Sequence, residues 1–268
     1  MAADDDDCVL FSDALTPEVF GAYSAEAEVS ISDAAPTVLR MRQQIECDNG
    51  SQSVLLWQSA VALSRSWWEG RVGLPKAADV RVLELGAGLG LCSLTAAALG
   101  ASDVVATEIE PALTALQKSI ESNSESQHAD RITVADLPWG DDDRAASLGT
   151  RAWDVVIGTD LVYGARLHAP LLATLRRVLT PGVSTLVLAY EERGGEEAFF
   201  EMASHQLGLV GHYIDQVTYV DLHQPVRIFV GTRVISPPRR RATREPRPPP
   251  GQQRRLSREL LQSLPSVP

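Results

Sequence analysis

The stretch that most restricts the fold of this chain is a strand that runs directly into a glycine-rich turn and then into an uncharged helix. Residues 80–85 (VRVLEL) predict the strand, and the run GAGLG (86–90) follows without a break. Glycine permits the sharp turn that such a junction needs, and it lets a ligand approach the main chain closely. Residues 89–99 are mostly apolar, which is typical of a buried helix. This unit predicts an α/β fold.

Strands and helices alternate along the rest of the chain. Helices are predicted at residues 54–68, 89–99, 111–122, 167–179 and 196–207. Strands are predicted at residues 80–85, 103–107, 131–135, 153–158, 184–190, 211–220 and 226–234. Strands that alternate with helices pair in parallel through crossover connections, whereas the last two strands have no helix between them. We therefore expect a Rossmann-like, mostly parallel seven-stranded sheet that ends in an antiparallel hairpin.

Composition divides the 268 residues into three parts. Residues 1–52 form an acidic N-terminal extension that we expect to be partly ordered, with a short strand in AEVSIS (27–32). Residues 53–234 hold the alternating elements and form the main domain. Residues 235–268 contain eight Arg and eight Pro, a composition that cannot make a core and that predicts a disordered tail.

The charge of the chain is unevenly distributed. The tail, residues 235–268, carries eight Arg and two Glu, a net charge of +6. Because the whole chain has a net charge of −11, residues 1–234 have a net charge of −17. An acidic body repels a phosphate backbone, so nucleic acid is not expected as the main substrate. A basic protein remains compatible with this charge.

Other features exclude further classes of protein. The longest uncharged run, residues 85–102, holds four glycines and is a poor membrane span, and the acidic start MAADDDDC lacks the basic residues of a secretory signal. Three cysteines without a CxxC pair and five scattered histidines predict neither a disulfide framework nor a metal site. We expect a cytoplasmic monomer, with a nuclear address left open by Arg239–Arg241.

An acidic residue at the end of the next strand completes a cofactor pattern. Glu108 comes 22 residues after Gly86, and its carboxylate can accept two hydrogen bonds from a ribose diol. The turn with Gly86, Gly88 and Gly90 therefore predicts a nucleoside-bearing cofactor. The third glycine comes one residue too early for the dinucleotide fingerprint, and Glu84 would face a phosphate unfavourably. S-adenosylmethionine (AdoMet) lacks phosphate and carries a positive sulfonium, so it is favoured over a dinucleotide or an empty turn.

Two tryptophans are further candidates for the same pocket. Trp139 follows the third strand, where its indole can pack against adenine or simply plug the end of the sheet. Trp57 lies in the helix before the first strand, where it can close over the cofactor or anchor the core. The sequence leaves both alternatives open for each residue.

The fourth strand ends in TDLVY (159–163), which brings a carboxylate and a phenol to the predicted ligand edge. Methyl transfer from a sulfonium is an in-line displacement, so the enzyme mainly aligns a nucleophile with the methyl group. Asp160 can orient an incoming nitrogen and accept its protons, and Tyr163 can wall the pocket or hydrogen-bond the amine. The alternative for Asp160 is a cap on the following turn.

Together these motifs resemble the seven-β-strand protein lysine methyltransferases of the methyltransferase 16 family, of the methyltransferase-like 21 type. The matching stretches are SVLLWQSAVAL (53–63), VLELGAGLGL (82–91), ATEIEP (106–111), LPWG (137–140), DVVIGTDLVY (154–163) and LAYEER (188–193). They occur in the family's order, and the resemblance covers residues 53–234. The glycine turn is common to many AdoMet enzymes, whereas the upstream Trp, the PWG and the D-x-x-Y are more specific.

The resemblance implies an AdoMet-dependent methyltransferase fold and methyl transfer to a lysine side chain of a protein substrate. It maps the family's AdoMet contacts onto Trp57, Gly86, Ala87, Gly88, Glu108, Trp139 and Thr159. The family's D-x-x-Y maps onto Asp160 and Tyr163 as residues at the substrate amine. Two departures are Glu108, where Asp is common, and LPWG in place of L-D-W-G.

Two other functions stay open on the sequence alone. The D-x-x-Y motif is loosely similar to the D-P-P-Y motif of enzymes that methylate amino groups, so a small molecule or a nucleic acid is an alternative substrate. A non-catalytic AdoMet-binding adaptor is the second alternative, which the intact Asp160 and Tyr163 disfavour.

Overall fold

The computed structural model describes residues 26–31, 38–42, 55–76, 79–110, 112–124, 129–217, 219, 222 and 225–234, all within the unit Met1–Ile235. The strands in these ranges are β1 Glu26–Ser30, β2 Val38–Arg42, β3 Arg81–Leu85, β4 Asp103–Glu108, β5 Ile132–Asp136, β6 Val155–Thr159, β7 Thr185–Glu191, β8 Leu209–Val217 and β9 Val226–Arg233. The α-helices are α1 Gln58–Trp68, α2 Leu91–Ala98, α3 Ala112–Ser122, α4 Asp142–Leu148, α5 Ala165–Val178 and α6 Glu196–Leu207.

Seven strands form one sheet in the order β5-β4-β3-β6-β7-β9-β8. The first five strands of this order are parallel, and β9 pairs antiparallel with both β7 and β8. All seven predicted strands are present, so the predicted mostly parallel sheet with a closing hairpin is confirmed. The strand predicted within residues 27–32 corresponds to β1, which pairs with β2 in a separate two-stranded antiparallel sheet.

The central strands β3, β4 and β6 are buried on both faces, which explains why their sequences are mostly apolar. Successive residues contribute to opposite layers: Val82 of β3 belongs to the core that packs against α1, α2, α3 and β2, and Leu83 belongs to the core that packs against α4, α5 and α6. Leu116 of α3 and Phe199 of α6 are fully buried examples from the two layers. The sheet therefore separates two apolar cores and leaves its strand ends free to form a site.

Three elements were not predicted from the sequence: β2, α4 and a single 3-10 turn at Ala129–Arg131. Helix α4 has only seven residues and opens with two acidic side chains, so its sequence DDRAASL shows no apolar period. Its start is set locally, because the Asp141 carboxylate accepts a hydrogen bond from the Arg144 N–H at 3.0 Å. Its single buried residue, Ala145, packs on the core that α5 also covers.

Several predictions from the sequence lie wholly or partly outside the described residues. They are the tail at 235–268, most of the extension at 1–52 and the turn near His223–Pro225. Helix α1 begins at Gln58 rather than at residue 54, because Trp57 has an extended backbone with φ of −84° and ψ of 144°. Within the described ranges, every helix is too short or too polar to cross a membrane.

The two-stranded sheet is attached to the main domain through Asn123, just after α3. The Asn123 side chain accepts the Arg40 N–H at 3.0 Å and donates to the Arg40 carbonyl at 2.7 Å, as a neighbouring strand would. It also donates to the Ser119 carbonyl at 2.7 Å, and it is buried. One amide therefore satisfies both main-chain groups of a residue in β2.

We expect Asn123→Ala to lower the free energy of unfolding by about 1–3 kcal/mol, because both main-chain groups of Arg40 lose a partially buried hydrogen bond to this side chain. Urea denaturation followed by circular dichroism measures this change. Ser124→Ala, at the exposed neighbouring position, is the matched control and should stay within about 0.5 kcal/mol of wild type. Equal stability of the two variants would show that Asn123 does not hold the β1–β2 sheet.

Candidate active site

A cavity of about 510 Å³ opens at the carboxyl ends of four parallel strands, β3, β4, β5 and β6. Ligands of open α/β sheets bind at this edge, and the volume is typical of a small-molecule site. Eight of the ten residues predicted from the sequence line the cavity: Trp57, Gly86, Gly88, Glu108, Trp139, Thr159, Asp160 and Tyr163. Ala87 and Gly90 are not among its lining residues.

The turn after β3 contains three glycines with left-handed backbones, and two of them line the cavity: Gly86 with φ of 57° and Gly88 with φ of 55°. A Cβ atom on Gly86 would lie 2.8 Å from Leu161 Cδ2 and 3.1 Å from Trp139 Cζ2, so this position has no room for a side chain. A Cβ atom on Gly88 would meet no other atom within 4 Å. The turn therefore presents bare backbone to the cavity at Gly88.

Ala87 and Gly90 have structural contacts that explain their place in the same turn. The Ala87 N–H donates to the Thr107 carbonyl at 2.9 Å and ties the turn to β4. Gly90 is the N-cap of α2, and a Cβ atom there would lie 2.6 Å from Leu116 Cδ1 of α3. Gly90 thus allows α2 and α3 to pack closely. Neither Ala87 nor Gly90 is among the residues that line the cavity, so the cofactor contacts predicted for them stay predictions.

Glu108 ends β4 with a carboxylate that two backbone groups already hold. Its Oε1 accepts the Gly88 N–H at 3.1 Å, and its Oε2 accepts the Ile109 N–H at 2.7 Å. Burial raises the pKa of this carboxyl, and the two backbone hydrogen bonds oppose that rise. A carboxylate has about four lone-pair positions, so two remain for a ribose diol. The bond to Gly88 also joins the predicted sugar-binding acid to the glycine turn.

Glu84 does not face the cavity, contrary to the argument that it would oppose a phosphate there. It is 1% exposed, and its Oε2 accepts both the backbone N–H of Ser93 at 2.8 Å and the Ser93 hydroxyl at 2.5 Å. The carboxylate therefore serves the first turn of α2, where main-chain N–H groups lack partners within the helix. Burial raises the pKa of Glu84 to about 7. Its other oxygen, Oε1, is buried without a hydrogen-bond partner.

Both predicted tryptophans are half-buried and line the cavity. Trp139 lies against Gly86 with the edge of its indole, and it is positioned by the turn that follows β5. Trp57 is the residue before α1, and its ring centroid lies 5.5 Å from the guanidinium carbon of Arg193. Trp57 is therefore a wall of the cavity rather than a buried core anchor.

Asp160 is the most constrained residue of the site. It is 8% exposed, and its φ of 52° is the only positive value among the described non-glycine residues. Its N–H donates to the Ala189 carbonyl at 2.8 Å, and its Oδ1 accepts the Glu191 N–H at 3.1 Å. Its Oδ2 accepts the hydroxyl of Ser59 in α1. These bonds fix a strained backbone at the end of β6, a feature that concentrates at functional sites.

The carboxyl of Asp160 is perturbed by its surroundings. Burial raises its pKa, whereas the Arg193 charge and the hydrogen bonds from Ser59 and from the Glu191 backbone oppose the rise. The carboxylate reaches the end of β7 and the start of α1. Asp160 therefore links three elements and still lines the cavity.

Tyr163 lies at the rim, with 44% of its surface exposed. Partial burial raises the pKa of its phenol, and the nearby Glu108 carboxylate raises it further. The phenol therefore stays protonated at neutral pH.

Sequence reasoning missed three residues around Asp160: Ser59, Glu191 and Arg193. Ser59 and Glu191 bond to Asp160, and Arg193 Nη2 lies 3.7 Å from Asp160 Oδ1 and 3.6 Å from Glu191 Oε2. The family resemblance contained the signal, because Ser59 lies in the matching stretch at 53–63 and the other two lie in LAYEER. The proximity of Glu191 and Arg193 to Asp160 depends on the pairing of β6 with β7, and that of Ser59 depends on the packing of α1, and no local pattern shows either.

The cavity suits a cationic nucleoside such as AdoMet. Its described lining carries three carboxylates, Glu108, Glu110 and Asp160, against a single cation, Arg193. The open space over Gly88 and the free lone pairs of Glu108 match a ligand that approaches the main chain with its sugar. Among the described residues, no three His, Cys, Asp or Glu side chains lie together in an arrangement that can hold a metal ion.

The fold and the cavity together define an α/β methyltransferase of the AdoMet-dependent class. Among solved structures, the SAM-dependent methyltransferase from Agrobacterium tumefaciens superposes with a TM-score of 0.53 at 14% identity, over 78% of this chain and 70% of that chain. This likeness concerns the fold. A sequence model of the lysine methyltransferase family matches residues 33–206, and the chain therefore belongs to that family.

Two curated relatives are similar to this chain over most of the same region. Protein N-lysine methyltransferase METTL21A of Danio rerio is 29% identical over 181 residues, which cover 68% of this chain and 78% of that protein. Protein-lysine N-methyltransferase EFM3 of Chaetomium thermophilum is 34% identical over 167 residues, which cover 58% of this chain and 47% of that protein. The predicted class of enzyme, an AdoMet-dependent protein-lysine methyltransferase, is confirmed.

We expect Gly86→Ala to destabilise the protein more than Gly88→Ala. Both substitutions place a Cβ atom on a left-handed backbone, which costs about 1–2 kcal/mol, but only the Cβ at 86 also collides with Leu161 and Trp139. Thermal unfolding followed by circular dichroism orders the variants, with wild type highest and Gly86→Ala lowest. An equal loss in both would show that the turn relaxes away from Leu161.

We expect Glu84→Gln to remove a pH dependence of stability. Because burial raises the pKa of Glu84 from 4.5 to about 7, the folded chain keeps a proton that the unfolded chain releases within this window. The unfolding free energy of the wild type therefore falls as pH rises from about 4.5 to about 7, by up to about 1.4 kcal/mol per pH unit from this group. Urea titrations across this range measure the slope.

The matched control for this titration is Glu201→Gln, at an exposed position of α6. It should keep the slope of wild type, whereas Glu84→Gln should show a flatter one. A Glu84→Gln variant with the wild-type slope would assign the pH dependence to other buried carboxyls.

Proposed function

We propose that the cavity is the active site, where this chain transfers a methyl group from AdoMet to the ε-amine of a lysine in a protein substrate. The observation that carries the proposal is the joint presence of Glu108 and Asp160 in one cavity at the carboxyl ends of the parallel strands. Glu108 is shaped by backbone hydrogen bonds to receive a sugar, and Asp160 is a buried carboxylate in a strained backbone. These are the requirements for a nucleoside cofactor and for an amine substrate.

The chain's own residues divide the work of holding AdoMet. Glu108 accepts the ribose hydroxyls, Gly86 and Gly88 offer bare backbone, and Trp57 and Trp139 provide apolar walls. When bound, AdoMet would supply an electrophilic methyl carbon on its sulfonium sulfur. The lone pair of the lysine nitrogen would form the new N–C bond as the C–S bond breaks, with S-adenosylhomocysteine and a proton as the other products.

Asp160 orients the lysine amine. Each of its oxygens already accepts one hydrogen bond, from Ser59 or from Glu191, so one lone pair on each oxygen remains for the N–H groups of the substrate. Because those two bonds fix the rotation of the carboxylate, the amine is held in a single direction, and alignment of this kind supplies much of the rate in a displacement reaction.

Tyr163 completes the amine site at the rim of the cavity. Its phenol keeps its proton because burial raises its pKa, so it can hydrogen-bond the substrate or close the site around the side chain. Its exposure of 44% in the chain alone fits a residue that a protein substrate covers.

We expect the substrate to present a basic segment around the target lysine. Glu110 and Ile109 are exposed at the mouth, and Glu108 lies just inside it, so an acidic and partly apolar rim surrounds the entrance. The balance of −17 over residues 1–234 supports the same charge preference. The cytoplasmic location and the monomeric state stay predictions of the sequence.

Tritiated AdoMet incubated with the full chain and with a cell lysate tests the proposal directly. Label in a protein band, located by mass spectrometry on a lysine, is the expected result. Label in nucleic acid or in small molecules would transfer the activity to one of the alternative substrates. AdoMet binding without label in any fraction would favour the adaptor alternative.

We expect Asp160→Asn to impair the methylation rate and Glu108→Gln to impair AdoMet binding. Asp160→Asn should lower the methylation rate by at least about 100-fold and leave the Kd for AdoMet within a few-fold, because it loses the carboxylate that orients the amine. Glu108→Gln should raise the Kd for AdoMet by about 10- to 100-fold through its lost charge-assisted hydrogen bonds. Calorimetry measures binding, and tritium transfer measures the rate.

The Asn variant isolates the chemistry from the fold. Asn tolerates the left-handed backbone at position 160, and it removes a charge whose burial is unfavourable, so the variant should unfold at a temperature close to that of wild type. Undiminished methyl transfer by Asp160→Asn would remove this residue from the reaction. An unchanged Kd for Glu108→Gln would remove Glu108 from the cofactor site.

A further inference from the structure

Arg193 occupies a position that neither the resemblance nor the relatives assign to a role. It follows β7, and its Nη2 lies 3.7 Å from Asp160 Oδ1 and 3.6 Å from Glu191 Oε2. Its guanidinium carbon lies 5.5 Å from the centroid of the Trp57 ring, within the range of a cation–π contact. The side chain therefore touches the proposed amine-orienting carboxylate and a wall of the cofactor cavity at the same time.

The backbone from which Arg193 projects is fixed. The buried carboxylate of Glu196, in the first turn of α6, accepts the Arg193 N–H at 2.8 Å and the Gly194 N–H at 3.0 Å. The two glycines that follow Arg193 have left-handed backbones, which turn the chain sharply into α6. The backbone of Arg193 is thus anchored beside the cavity.

The charges around Asp160 are mostly negative. Asp160 and Glu191 are both buried, and burial raises the pKa of each, whereas the Arg193 charge lowers both. A small recess beside the cavity is lined by Asp160, Glu191, Arg193 and their neighbours. The other titratable groups that line the cavity or this recess are Glu108, Glu110, Tyr163, Tyr190 and Glu196. Among the described lining residues, Arg193 carries the single positive charge.

A carboxylate next to a substrate amine has a cost for this reaction. Lysine attacks as the free amine, and its ordinary pKa is about 10.4, while a nearby negative charge stabilises the ammonium form further. A permanent positive charge within about 4 Å of the carboxylate offsets this effect. Arginine is suited to that task because it stays protonated at every relevant pH.

We propose that Arg193 is a positioning residue whose guanidinium offsets the charge of the Asp160 carboxylate, which Ser59 and Glu191 orient, so that the target lysine reaches the site as a free amine. This inference rests on the proposed function of the cavity. Its consequence is that loss of the Arg193 charge raises the pKa of both Asp160 and the bound amine, and each change moves activity toward higher pH.

The experiment compares Arg193→Met and Arg193→Gln with Arg193→Lys and with the control Arg177→Met. Arg177 forms an exposed ion pair with Asp142, so its replacement changes the net charge equally outside the cavity. The rate of tritium transfer from AdoMet to lysate protein is measured against pH. Separately, the pKa of Asp160 is measured without AdoMet by carbon NMR of the carboxyl groups, with Asp160→Asn assigning the signal.

For Met and Gln at position 193 we expect the acid limb of the pH profile and the pKa of Asp160 to rise by about one unit. The rate near neutral pH should fall about 10-fold and recover at higher pH, which a merely structural defect would not do. Lys at position 193 should restore the wild-type limb, and Arg177→Met should match wild type in both measurements.

Unchanged profiles and an unchanged Asp160 pKa in both the Met and the Gln variants would overturn the inference while leaving the proposed function intact. A higher rate at every pH would also overturn it, because Arg193 would then block the amine site. A wild-type chain that labels no protein would count against the proposed function, and the NMR titration would still decide whether Arg193 sets the pKa of Asp160.

Discussion

The parallel register of the central strands is the constraint on which the site depends. Leu85 of β3 pairs with Gly158 of β6, and Thr159 pairs with Ala189 of β7, so the residues after these strands emerge together at one edge. Apolar side chains cover both faces of the strands, and a slip of one residue would exchange the two faces. The burial that stabilises the sheet therefore also sets the relative positions of the glycine turn, Glu108 and Asp160.

Three carboxylates at or near the site are largely buried, and each carboxylate is stabilised by a different set of hydrogen-bond donors. Glu108 receives two backbone N–H groups, Asp160 receives a backbone N–H and a hydroxyl, and Glu84 receives both kinds from Ser93. These bonds partly offset the loss of water around each charge. The donors also show that the three carboxylates have different positions, because Glu84 supports the start of α2 whereas Glu108 and Asp160 line the cavity.

Membership of the lysine methyltransferase family and the geometry of the cavity support one another. The family accounts for the cofactor class and for the lysine substrate. The structure adds the geometry on which the proposed mechanism rests, which is a carboxylate with two hydrogen bonds and a guanidinium 3.7 Å from it. The basic substrate proposed above rests on the acidic rim around this pair, since such a rim attracts positive charge over long range without fixing which protein binds.

The sequence by itself determined the seven-stranded sheet, because buried strands, glycine turns and helix periods are local patterns that burial enforces. It also identified eight of the residues that line the cavity, since they lie at strand ends that a parallel sheet brings together. It missed α4, whose start depends on one capping carboxylate, and it misplaced Glu84, whose direction depends on Ser93. Only the tertiary structure decided which side chains meet: Ser59, Glu191 and Arg193 reach Asp160 from elements distant in sequence, because packing of α1 and β7 beside β6 places them there.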